Sequence, residues 1–128
     1  MTQQAPESLT YRRSDRTLKI KFPNQVSVDL SAELLRVLSP SAEVQGHGPG
    51  QEVLQTGKAN VEITAIEPVG HYAVQISFDD GHSSGLYTWA YLAQLASEKQ
   101  ILWQRYLKRL EGAGASRDPS TDIVKIIS

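Results

Sequence analysis

Residues 71–92 read HYAVQISFDDGHSSGLYTWAYL. Tyr72, Val74, Ile76 and Phe78 alternate with His71, Ala73, Gln75 and Ser77, the period of a strand with one buried face. Asp80-Gly81 supplies the positive-φ dipeptide of a tight hairpin turn, and His82-Ser83-Ser84-Gly85-Leu86 returns as the partner strand. The spacing then becomes helical at Trp89, Leu92 and Leu95. A hairpin feeding a helix is therefore the expected organising unit. With a two-residue turn, Asp79 stands opposite His82 and Ser77 opposite Ser84, all on the face away from the core, with His71 further along.

Upstream, Leu18, Ile20 and Phe22 alternate with Thr17, Lys19 and Lys21, and Val26, Val28 and Leu30 with Gln25, Ser27 and Asp29. Pro23-Asn24 between them predicts a second hairpin. Ser31 is placed to cap a helix from Ala32 to about Leu38, with Glu33 near the positive end of its dipole. Ser39-Pro40 breaks that pattern, and a short turn, SPSAEV, leads into the glycine-rich loop Gly46-His47-Gly48-Pro49-Gly50. Val61, Ile63 and Ala65 predict another strand.

Downstream of the hairpin the pattern predicts two helices. One runs from Trp89 to Ala96. A second, capped by the Ser97–Gln100 pair, presents Leu102, Trp103, Tyr106, Leu107 and Leu110. Residues 1–15 are expected to be a flexible leader, 16–112 the folded domain, and 113–128 a flexible tail, with docking of Ile123, Val124, Ile126 and Ile127 as the alternative. The sum is an α+β fold of two layers: a mostly antiparallel sheet of about five short strands with helices packed on it.

The 128 residues suit one domain, and 40% hydrophobic and 21% charged residues are ordinary for a soluble chain. A net charge of −1 argues against nucleic acid as a partner. The charge is uneven: residues 29–80 hold eight acidic and two basic side chains, between basic flanks. There is no cysteine, which excludes disulfides, thiolate metal sites and cysteine nucleophiles. With no apolar leader and no run of membrane-spanning length, the expected location is the cytoplasm.

The loop GHGPGQ is no Walker loop, because Gly57-Lys58 is followed by Ala59. There is no Gly-x-Ser-x-Gly, and Ser83, adjacent to His82 on a strand, points to the opposite face. The histidines are followed two places on by Pro49, Ala73 and Ser84, so none begins an iron-binding His-x-Asp/Glu pair. A catalytic site is not expected. The aromatic residues of the C-terminal helices read chiefly as packing.

The segments LKIKFPN…VDLSAELLR, SPSAEV…GHGPGQ and ISFDDGHSSGLYTW…YL, in that order and spacing over roughly residues 16–112, resemble the gamma-butyrobetaine hydroxylase-like N-terminal domain family (DUF971-like), a domain of unknown function, here as a stand-alone member. In carnitine-pathway oxygenases, the resemblance implies, such a domain precedes the catalytic barrel. There it binds a structural zinc through Cys-Pro-Cys-x-x-Cys after a Leu-Arg pair, plus a later histidine. In this chain Leu35-Arg36 is the pair, Ser39, Pro40, Ser41 and Val44 occupy the motif positions, and His82 fits the histidine. The three cysteines are absent, and so is the oxygenase barrel. Relatives attached to P-loop iron–sulfur carriers of the Mrp type imply an accessory role.

The expected function is a non-catalytic binding or adaptor module, accessory to an iron–sulfur carrier or oxygenase system, with no resident cofactor. Its expected protein contact surface is Asp79, His82, Ser84 and Tyr87. The alternative is a zinc- or iron-binding domain using His82, His47 and Asp79 as ligands.

Overall fold

The structure is a computed structural model that describes residues 3–46 and 48–119, apart from the side chain of Ser84. Its elements run β1 (Ser8–Arg12), β2 (Thr17–Lys21), β3 (Val28–Ser31), α1 (Ala32–Val37), α2 (Ala42–Gln45), β4 (Ile63–Val69), β5 (Ala73–Phe78), β6 (Ser83–Thr88) and α3 (Trp89–Gly112). The α+β class is as expected. The strands form two separate three-stranded antiparallel sheets, β1-β2-β3 and β4-β5-β6, rather than a single sheet.

The additional strand is β1, in the stretch expected to be a leader. Leu9 and Tyr11 alternate with Ser8, Thr10 and Arg12, and both pack against the core. The turn back to β2 places Arg16 at φ 54 and is closed by the Arg16 N–H donating to the Arg13 carbonyl at 3.3 Å. Leu18 faces Leu30 across β2 and β3, and both are fully buried. Val26, grouped with Val28 and Leu30 by its spacing, lies before β3 and is 83% exposed. Tyr72 likewise sits in the turn before β5 and is 53% exposed, so the core face of β5 begins with Val74.

Ser31 caps α1 as expected: the Leu34 N–H donates to its Oγ at 3.0 Å. The two predicted C-terminal helices are one helix, α3, of 24 residues. Its N-cap is Thr88, whose Oγ1 accepts from the Tyr91 N–H at 3.1 Å. Ser97 does not cap a second helix; its hydroxyl donates back to the Gln94 carbonyl at 3.1 Å, a bond that fits inside a continuous helix. The capping-box pattern is overridden because Leu92, Leu95, Tyr106 and Leu110 are buried along this one helix, and tertiary packing outweighs a local cap preference.

Helix α3 packs on β3 and β6 and so bridges the two sheets. A shared core of Leu18, Ile20, Leu35, Ile76, Tyr87 and Leu92, among others, joins all these layers. After α3 the chain turns back: the Gly57 N–H donates to the Ser116 carbonyl at 2.9 Å, and the Ala59 N–H to that of Arg117 at 3.0 Å. Ordered structure thus extends past both expected boundaries, residues 16 and 112. Ile123, Val124, Ile126 and Ile127 lie outside the described residues, as does His47. Among the described residues, no helix is long and apolar enough to cross a membrane.

Candidate functional site

The chemistry-bearing side chains gather where the β5–β6 turn meets the segment between α1 and α2. The Gly81 N–H donates to the Phe78 carbonyl at 3.2 Å, and the Phe78 N–H to that of His82 at 2.9 Å. The loop is therefore three residues, Asp79-Asp80-Gly81, with Gly81 at φ 87 supplying the left-handed position such a loop requires. This corrects the two-residue turn of the sequence reading. His82 stands opposite Phe78 rather than Asp79, and one residue of slip moves a side chain to the other face. His82 is accordingly buried, at 7% exposure.

The slip is confined to the tip. Ser77 pairs with Ser83, but a register shift between Gln75 and Ser77 brings Gln75 opposite Leu86 and Val74 opposite Tyr87. Tyr87 therefore points into the core with Val74 and is fully buried. Its phenol donates to the Leu35 carbonyl, and burial pushes its pKa well above the ordinary tyrosine range. A solvent-facing role for Tyr87 is thereby overturned.

The His82 ring lies among polar groups. Its Nε2 is 3.0 Å from Ser39 Oγ and 3.4 Å from Ser41 Oγ, and the two hydroxyls are 3.2 Å apart. Its Nδ1 is 3.4 Å from Glu43 Oε2, which places the proton of the neutral ring on Nδ1. Burial, and then the nearby Arg36 guanidinium, lower the His82 pKa, with Glu43 and Asp80 partly offsetting them. Ser39 is fully buried and also accepts from the Ser41 N–H at 3.3 Å. Backbone approach completes the junction: a Cβ on Gly85 would lie 3.2 Å from Ser41 N and 3.3 Å from the Pro40 carbonyl. That is tighter than an ordinary Cβ contact, so a side chain here would require the Pro40–Ser41 backbone or β6 to give by a few tenths of an ångström.

Asp79 and His82 are not brought together as a pair. Asp79 turns toward β4, its Oδ1 accepting from the Glu62 N–H at 3.0 Å while its own N–H donates to the Glu62 carbonyl at 2.9 Å. His71 is exposed near Trp89, whose indole donates to the His71 carbonyl at 2.8 Å. The residue that sequence reasoning missed is Asp80. It accepts from Lys58 Nζ at 2.6 Å and Arg36 Nε at 2.8 Å through Oδ2, and from the His82 N–H at 3.0 Å through Oδ1. No local pattern predicts this, since Arg36 is 44 residues distant.

Burial alone would raise the Asp80 carboxyl, but the bonds from Lys58, the His82 N–H and Arg36 outweigh it and hold the pKa at about 2 against an ordinary 3.8. The ionised form is thus favoured by folding. The resulting stability is present above 3.8 and is lost as pH falls through about 2. Discounted for partial exposure, it amounts to about 1–2 kcal/mol. Acid titration by circular dichroism should show Asp80→Asn less stable than wild type at neutral pH by that amount. The two should converge near the low end of this window.

The serine–histidine cluster occupies the positions that the sequence resemblance equates with a zinc site, and its donor set does not fit one. Zinc sites of this kind use thiolates and imidazoles. Here the nearest partners of the imidazole Nε2 are neutral hydroxyls, and Val44, which has no donor, is buried. Among the described residues, no group of three or more histidine, aspartate or glutamate side chains is placed to hold a metal ion. What the arrangement does is tie β6 to the α1–α2 connection.

The gamma-butyrobetaine hydroxylase-like, N-terminal family matches residues 9–93, and the chain belongs to it. Two proteins whose structures were solved by NMR in solution are similar throughout. One is 51% identical, over 91% of this chain and 92% of its own, with a TM-score of 0.80. The other is 53% identical, over 91% and 86%, with a TM-score of 0.77. A crystal structure from Acidithiobacillus ferrooxidans, described as a protein of unknown function of the DUF971 family, is 34% identical over 73% of this chain and 93% of its own, with a TM-score of 0.61. No curated protein matches the chain.

Proposed function

We propose that this chain is a non-catalytic protein-binding module, accessory to an iron–sulfur carrier or oxygenase system, and that the hairpin face around Asp79, Ser83 and Leu86 is its contact area. The observation that carries this reading is the bracing of the hairpin tip from three sides. Asp79 bonds to Glu62, while Asp80 bonds to Arg36 of α1 and to Lys58. A tip held this firmly is preorganised, and preorganisation reduces the ordering cost of association. His82 and Tyr87 support this face from beneath rather than touching a partner. Solvent is met instead by Asp79, Ser83, Leu86 and the 84% exposed Glu43 side chain. The acidic character of the face matches a partner with a basic surface.

The alternative, a metal domain built on His82 with His47 and Asp79, receives no support from the contacts of His82 and Asp79. Both are committed to other groups.

The double variant Ser83→Lys/Leu86→Lys places two cations on exposed positions of this face. It should keep the wild-type circular dichroism spectrum and melting temperature while losing at least tenfold in recovery of its partners from native extract. A folded double variant that retains every wild-type interaction would rule this face out.

A further inference from the structure

We propose that the cleft between α3 and residues 50–55 is a binding site for a small carboxylic acid with an apolar body, its carboxylate held by Arg105 and Arg109. The cleft, of about 630 Å³, is of a size typical of small-molecule sites. Its lining includes the buried Val37, Val44 and Tyr106 and the partly buried Leu38, Leu54 and Leu102. An apolar group is the natural occupant of such a surface.

Hydrogen bonds within the chain hold the walls. The Tyr106 hydroxyl donates to the Gln55 carbonyl at 2.8 Å, the Tyr91 hydroxyl to the Leu38 carbonyl at 2.5 Å, and Gln45 Nε2 to the Ser39 carbonyl at 3.0 Å. The Val53 N–H donates to the Val44 carbonyl at 2.8 Å, which fastens the 50–55 wall to α2. Gly46, at the end of α2, has φ 73 and no room for a side chain, because a Cβ there would collide with the Gln51 carbonyl. The start of the glycine-rich segment thus lets the chain double back from α2 into the cleft wall. A pocket built in this way is preformed, which lowers the ordering cost of binding.

The two arginines are not committed in the same way. Arg105 and Arg109 lie one turn apart on α3, both line the cleft, and both are exposed. Like charges at this spacing repel. The helix positions three and four residues away hold no carboxylate: Ile101, Leu102 and Lys108 flank Arg105, and Tyr106, Gly112 and Ala113 flank Arg109. Neither arginine forms an ion pair among the described residues. Arg109 Nη2 donates to the Glu52 backbone carbonyl at 3.4 Å, the long limit of a hydrogen bond. The Glu52 carboxylate accepts from the Gly50 N–H at 3.3 Å instead. Two guanidiniums beside an apolar cavity therefore call for an anion on an apolar body, and a carboxylate matches the guanidinium fork. Its binding breaks no ion pair. The site shares no residue with the hairpin face and does not depend on the reading proposed for it.

The test titrates the full chain with sodium octanoate while NMR follows the Val53 and Leu54 amides and the arginine Nε–H resonances. Saturable shifts at both wall and arginines are expected. Octanol, which lacks the charge, and acetate, which lacks the apolar body, should each bind more weakly by about tenfold or more. Arg105→Gln/Arg109→Gln should keep the wild-type melting temperature, since both side chains are exposed, and should lose octanoate affinity by a similar factor. If the double variant does not fold, Arg105→Gln alone should still weaken octanoate and leave octanol unchanged. A wild-type protein that does not saturate with octanoate, or responds equally to octanol, would overturn the proposal. So would a folded arginine variant that binds octanoate as wild type does.

Discussion

Tyr87→Ala is expected to lower stability by about 3–5 kcal/mol, the usual cost of emptying a large aromatic site in a core. The residue is fully buried, pairs with Val74 across β5 and β6, and donates its hydroxyl to the Leu35 carbonyl of α1. It therefore fastens the second sheet to the first helix. Tyr87→Phe separates the two contributions. It keeps the ring and leaves one buried carbonyl short of a donor, at a cost of about 1–2 kcal/mol. Urea denaturation of the three proteins would measure both steps. A domain of this size is typically stable by about 5–15 kcal/mol, so the alanine variant should be near the limit of folding. A Tyr87→Ala protein as stable as wild type would contradict the buried placement.

His82→Ala is expected to destabilise by about 2–3 kcal/mol, through the lost ring and through Ser39 Oγ, which loses its imidazole partner in a fully buried position. For a hydrogen-bonded tie rather than a metal ligand, two further results should follow. Ser39→Ala should cost less than His82→Ala, about 1 kcal/mol, and the losses should not add in the double variant because both remove the same bond. Titration of wild type with zinc or ferrous iron should leave the His82 imidazole resonances unmoved. Additive losses would separate the two residues, and saturable shifts at His82 would restore the metal reading.

The same two residues show what was legible beforehand. Counting by twos from Val74 across the hairpin puts Tyr87 on the core face, and the register shift near Ser77 returns the strands to that alignment. The burial of Tyr87 was therefore present in the alternation. His82 was not legible in the same way. Its face depends on whether the loop has two residues or three, and Asp-Asp-Gly is compatible with both. Strand β1 was not legible, because five residues with two apolar positions, Leu9 and Tyr11, become a strand only when a neighbour supplies the ladder. Pairing with β2 does so.

Legible in the residues alone were the α+β class, the Ser31 cap, the hairpin leading into a C-terminal helix and the absence of any thiol chemistry. These follow from periodicity, capping and composition, which are local or global properties of the chain. Tertiary structure alone decided that the strands form two sheets, that α3 is continuous, and that Ser39 and Ser41 meet His82. It also decided that Asp80 gathers Arg36 and Lys58, and that Arg117 returns to Glu33 across 84 residues. Each of those contacts joins residues more than 20 positions apart. No local preference encodes such a contact; it forms when burial of the shared core brings the two segments together.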